Sequence, residues 1–189
     1  MTEQEAYQWA SYFLLKGDTP KAGRRKLWYG EQGRHDPTPA DPHPTLNGIT
    51  QEAYTAAGFA GSVMAMTPAE QDDIYRDYWK RCWANELALK DLGKIALCHY
   101  VTAFNMGDHA ASELLQRAAG MRNQDLDGIM GPRTLKAAAA VAERELLIKY
   151  TGNLVTRYQK IAEQHPEKAP NLKGWLLRVE AIQRETGIA

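Results

Sequence analysis

The chain is short of sulfur chemistry, long apolar runs and net charge. Two cysteines, Cys82 and Cys98, are all that 189 residues contain. That is too few for the disulfide framework of a small secreted domain, and both fall in helix-patterned segments, so they read as buried free thiols in a protein made in a reducing compartment. The apolar patch Tyr12 to Leu15 is far too short for a signal h-region or a membrane span, and the opening Met-Thr-Glu-Gln-Glu is acidic where a secretory leader would be basic. The expectation is a protein made in the cytoplasm without a signal peptide, with no membrane insertion. Lys plus Arg number 23 and Asp plus Glu number 23, so no overall field draws the molecule to nucleic acid. The run Lys21 to Lys26 is the local exception, read either as a solvated loop or as a contact to an anionic polymer.

Several chemistries are missing as well. There is no nucleophile elbow, no phosphate-cradling glycine loop and no His-Glu-x-x-His sequence. His35 and His43 flank a loop with Asp36 and Asp41, but their spacing matches no zinc pattern, so neither metal nor cofactor is expected.

What remains is helical patterning. Tyr7, Trp9, Ala10, Phe13 and Leu14 predict a first helix over 3–15, ending near Gly17-Asp18-Thr19-Pro20. Residues 16–25 and the proline-rich 36–44 read as loops. Thr50 can cap a helix running to Gly58, and Thr67-Pro68-Ala69-Glu70 carries a capping box with proline at the first helical position. Ile74, Tyr75, Tyr78, Trp79, Cys82 and Trp83 then mark one apolar helical face. Further helices are predicted near 93–104, 108–119, 132–149, 151–164 and 175–185, and Thr45 to Ile49 can form a short strand or hairpin arm. The fold class is therefore mainly α with one small β element. The length suits one packed domain, or one with a small subdomain.

The feature that points to chemistry is Glu31-Gln32-Gly33-Arg34 followed by Gly48-Ile49-Thr50-Gln51. Glu31 follows Trp28, Tyr29 and Gly30. Against such an aromatic wall desolvation would raise its pKa and keep it protonated as a general acid, although a lone loop glutamate is also ordinary surface. Asp36 and Asp41 are the nearest carboxylates and can equally be turn residues beside proline. Tyr78 and Trp79 can stack on sugar faces or pack a core. Asn105-Met106-Gly107-Asp108 closes one helix and opens the next, Gly107 suiting a left-handed turn and Asp108 an N-cap, while the Asn105 amide can face an acetamido group. Asp127-Gly128-Ile129-Met130-Gly131-Pro132 reads as a turn and helix start.

Together these segments resemble glycoside hydrolase family 108, the bacterial and phage muramidases in which a Glu-Gly-Gly-Tyr motif precedes a Thr-Asn-Tyr-Gly-Ile-Thr motif. The counterparts here are Glu31-Gln32-Gly33-Arg34 and Thr45-Leu46-Asn47-Gly48-Ile49-Thr50, with Gln51 and Tyr54 continuing the pattern. Thr67 to Glu70 with Tyr75, Tyr78 and Trp79 resembles the family's second block, and Phe104-Asn105-Met106-Gly107 resembles its Val-Asn-Ser-Gly. Leu115 to Ala118, Asp127 to Thr134 and Gly174-Trp175 are similar to the associated predicted peptidoglycan-binding region. Gln32 and Arg34 depart from the family glycine and tyrosine.

The resemblance implies a compact helical lysozyme-like fold, with a catalytic half over 27–105 and a peptidoglycan-binding half over 106–189 packed together. It implies an endolysin-like muramidase, monomeric, acting on peptidoglycan glycan strands after release by a holin or an export machine. Glu31 would be the general acid; Asp36, or a water held by Thr45, would complete the displacement. Gln51, Tyr54, Tyr78, Trp79 and Asn105 would grip the glycan. A lytic transglycosylase and a non-catalytic wall-binding or virion protein are the alternatives.

Overall fold

The computed structural model describes residues 1–16 and 45–189. Glu31, Asp36, the basic run Lys21 to Lys26 and the proline-rich loop lie outside the described residues.

The first helix, α1 (Glu3–Lys16), begins with a reciprocal cap in which the Glu5 N–H donates to Thr2 Oγ1 (3.2 Å) and the Thr2 N–H donates to Glu5 Oε2 (2.7 Å). It buries Ala6, Tyr7, Ala10, Phe13 and Leu14. Strands β1 (Thr45–Leu46) and β2 (Ile49–Thr50) form an antiparallel hairpin with Thr45 opposite Thr50. Its turn is Asn47-Gly48, at φ 54 and 76, the residue pair that tolerates the left-handed conformation at both positions of a two-residue hairpin. The Tyr75 hydroxyl donates to Asn47 O at 2.8 Å and pins the turn to the helical body.

Helix α2 (Gln51–Ala56) follows at once, its first turn capped by Thr50, whose Oγ1 accepts from the Ala53 N–H. Helix α3 (Pro68–Arg81) has the expected capping box between Thr67 and Glu70. It stops at Cys82, and Trp83 turns left-handed at φ 64 to start a short helix, α4 (Ala84–Ala88). Trp83 therefore leaves the apolar face to which its spacing assigns it, a correction caused by the chain reversing to bury Ala84, Leu87 and Ala88.

Helix α5 (Gly93–Met106) is the axis of the molecule. Every residue from Ile95 to Ala103 is buried, so it has no solvent face, and α1, α4, α6 and α8 surround it. Its N-terminus has no local side-chain cap. The orphan N–H groups of Lys94 and Ile95 instead donate to Glu143 Oε1, at 2.8 and 3.3 Å.

Helices α6 (Asp108–Ala118), α7 (Pro132–Ala139), α8 (Glu143–Gln164) and α9 (Leu172–Thr186) complete the described chain. Asp108 occupies the first helical position rather than the N-cap, which is Gly107 at φ 87. The predicted helix 132–149 is broken after Ala139, whereas the expected break near Thr151 is absent. The alanine run favours helix locally, but Ala142 turns extended, at ψ 132, and α8 then starts where Glu143 reaches the N-terminus of α5. At Thr151 the hydroxyl folds back onto Leu147 O (2.9 Å), and buried Leu147, Tyr150, Leu154 and Tyr158 carry the helix through Gly152. The result is a mainly α, lysozyme-like fold with a single small hairpin among the described residues.

Candidate active site

A cleft of about 300 Å³ opens between the hairpin turn with α2 on one side and α3 with the end of α5 on the other. Gly48 and Ala53 form one wall; Asp77, Tyr78 and Arg81 from α3 and Asn105 from α5 form the other. The 77, 78 and 81 spacing puts three polar groups on the α3 face that flanks the cleft.

Tyr78 organises this wall. Its hydroxyl is shared between Ala103 O (2.8 Å) and Asp108 Oδ1. Burial, followed by the Asp108 carboxylate, pushes its pKa far above the ordinary tyrosine value, so it acts only as a neutral donor. The Arg81 guanidinium lies 4.6 Å from the Tyr78 ring centroid, and its nitrogens approach Asp77 and Asp108 at 3.9 Å each. These ion pairs are solvent-exposed, so they orient the rim more than they stabilise the fold. Asn105 donates its amide N–H to Val101 O at 2.7 Å while lining the cleft.

Of the residues expected to grip a glycan, Tyr78 and Asn105 meet in this cleft. Trp79 and Tyr54 do not, which corrects the expectation for both. Trp79 is 1% exposed, packed edge-on against Tyr7 and Tyr100, with its indole N–H on Glu3 Oε1 at 2.6 Å. Tyr54 is 2% exposed and stacked on Phe59. Gln51 is occupied by backbone: it donates to Gly61 O (2.9 Å) and accepts from the Val63 N–H (2.8 Å), tying the loop after α2 to the helix. Thr45 pairs in the hairpin; Glu31 and Asp36 lie outside the described residues.

Asp77 and Arg81 join the cleft although no sequence motif marks them. Their i,i+4 spacing around Tyr78 was visible, but only the cleft gives it meaning. Among the described residues no cluster of histidine, cysteine and carboxylates could hold a metal ion, and no helix is long and apolar enough to cross a membrane.

In the second half of the chain, the Asp127–Thr134 turn closes around buried Gln116. The amide nitrogen donates to Asp127 Oδ1 (2.6 Å), Ile129 O (3.1 Å) and Thr134 Oγ1 (3.2 Å), and the amide oxygen accepts from the Gly128 N–H (3.0 Å).

Comparison with known proteins follows these two regions. Residues 28–107 match the family model described as glycosyl hydrolase 108, and residues 110–180 match the one described as a predicted peptidoglycan domain. Among solved structures, SagA of Brucella abortus is similar at 25% identity and a TM-score of 0.62, over 80% of this chain and 84% of that one. No curated protein matches. The cleft lies within the first matched segment and the Gln116-centred turn within the second, and the glycosyl hydrolase 108 match over residues 28–107 indicates a glycoside hydrolase acting on peptidoglycan.

Proposed function

We propose that the protein is an N-acetylmuramidase that cleaves the β-1,4 bond between N-acetylmuramic acid and N-acetylglucosamine, with Glu31 as general acid. The observation that carries this reading is the cleft in the glycosyl hydrolase 108 segment, walled on one side by Gly48 of the hairpin turn, which follows Glu31 by seventeen positions in sequence. Protonated Glu31 donates to the glycosidic oxygen as an oxocarbenium-like state develops. Tyr78 presents a rigid neutral ring to the sugar, and the Asn105 amide faces an acetamido group. Asp36, a water held at Thr45, or Asp77, the carboxylate that the described residues bring to the cleft, completes the displacement.

The division of labour is a catalytic half over 27–105 and a wall-binding half over 106–189. Delivery by a holin or an export machine and a monomeric state belong to the same proposal.

The test is mass spectrometry of the soluble products released from purified peptidoglycan, before and after borohydride reduction. Fragments ending in reducible N-acetylmuramic acid are expected. Ends with 1,6-anhydro linkage would replace the hydrolase by a lytic transglycosylase, and no soluble fragment at all would leave a wall-binding protein.

A further inference from the structure

A second groove, of about 230 Å³, runs between α6 and α8, away from the cleft. Asn153, Thr156, Arg157 and Lys160 recur at i, i+3, i+4 and i+7 along α8, which places them on one helical face. Glu113 and Arg117, four apart on α6, form the facing edge.

The charges in this groove are arranged rather than scattered. Glu113 holds Arg117 Nη2 at 2.6 Å with one carboxylate oxygen and stands 3.8 Å from Arg157 Nη1 with the other. The Arg117 guanidinium beside it, then that of Arg157, holds its carboxyl below the ordinary range, so Glu113 is a fixed anion between two forks. Lys160 has no ion-pair partner among the described residues. One anion therefore faces three cations, and the groove keeps a local positive excess on a chain whose net charge is zero. Asn153 donates to Leu114 O across the floor (3.4 Å) and couples the two helices. Arg117, bonded to the Glu113 carboxylate, and Arg157, 3.8 Å from it, still present N–H donors outward, in the planar geometry that suits a second carboxylate.

We propose that this groove binds the carboxylates of the peptidoglycan peptide stem, so that the second segment recognises the acidic peptide while the cleft takes the sugar. The proposal rests on the reading that the protein acts on peptidoglycan. It goes beyond that reading by assigning the peptide, rather than the glycan, to named residues. The match of residues 110–180 to a predicted peptidoglycan domain, which contains every residue of the groove, favours a wall component over other anions.

The experiment is calorimetric titration of the full chain with the stem tetrapeptide L-Ala-γ-D-Glu-meso-diaminopimelate-D-Ala, and with the same peptide after amidation of its carboxyl groups. The free-acid peptide should bind at least about 10-fold more tightly than the amidated one, and the double variant R157Q/K160Q should lose about that factor together with most of the salt dependence. Both side chains are exposed, so the variant should keep the circular dichroism melt of the unmodified protein. Equal affinity for the two peptides, or unchanged binding by the variant, overturns the proposal. Saturable binding of inorganic phosphate with none of the tetrapeptide also overturns it and assigns the groove to a phosphate polymer. Sugar release from intact peptidoglycan is read separately: failure there rejects the muramidase reading, while the peptide titration alone decides the groove.

Discussion

Replacing Gln116 by leucine tests whether the turn over residues 127–134 is held by one buried amide. The side chain is 1% exposed, and leucine has nearly its volume, so the substitution removes hydrogen bonds without opening a large cavity. What it removes can be counted. The Gly128 N–H is buried and loses its side-chain acceptor, an unsatisfied donor that costs about 1–3 kcal/mol. Asp127 Oδ1, Ile129 O and Thr134 Oγ1 lose a shared donor, with a net contribution of about 1 kcal/mol. The expected loss is thus about 2–4 kcal/mol, which for a chain of this size lowers the melting temperature by roughly 5–15 °C. Differential scanning calorimetry of Gln116→Leu beside the unmodified protein measures it. A melting temperature within about 1 °C of wild type would show that local turn propensity, not the amide, holds this segment.

Other perturbations have equally definite outcomes. His99 is fully buried, with Nε2–H donating to Cys82 O (3.0 Å), and burial depresses its pKa to about 4. The unfolded chain takes up a proton near pH 6.5 and the folded one does not, so this residue should remove about 3 kcal/mol of stability as pH falls from 6.5 to 4; denaturant midpoints of wild type against His99→Leu over that range measure the difference, and parallel pH profiles would reject it. Glu143→Ala should cost about 1–2 kcal/mol by uncapping α5, with Glu143→Gln losing less because an acceptor remains; equal midpoints for both variants and wild type in urea would remove the cap from the account. Glu31→Gln should abolish sugar release while leaving the melting curve and wall pull-down unchanged, and retained turnover would take Glu31 out of the acid role. Tyr78→Ala, which removes the ring from the cleft wall, should raise KM more than Tyr78→Phe, which keeps the ring and frees only Asp108 and Ala103 O, whereas an unchanged KM in Tyr78→Ala would deny the cleft a sugar-binding wall.

Elements whose cause is local were legible in the chain. The Thr67–Glu70 box, Thr50 as a cap and the left-handed Gly107 all follow from side chains acting within four residues. Asn47-Gly48 is an equally local hairpin signal, since this dipeptide suits both central positions of a two-residue turn. Elements whose cause is distant were not legible. The α7–α8 break sits in a stretch rich in alanine because Glu143 serves a helix some fifty positions earlier in the chain. Trp79 and Tyr78 are adjacent on an aromatic-rich helix, and only the neighbours decide that one fills the core and the other walls a cleft. Asp77 and Arg81 look like any solvated pair until the hairpin is brought opposite them.

The way α5 is held has a consequence for inheritance. The helix ends where the first matched segment ends, yet its first N–H groups close on Glu143 and His99 Nδ1 meets the Tyr150 hydroxyl at 3.1 Å, both partners coming from the second segment. A recombination joint between 107 and 110 would leave a fully buried helix without one flank and a buried imidazole without its partner. Such a protein cannot trade its second matched segment as a freely exchangeable module. The two segments must diverge as a matched pair, and chimaeras cut at that joint should fail to accumulate as folded protein even when each half comes from a working parent.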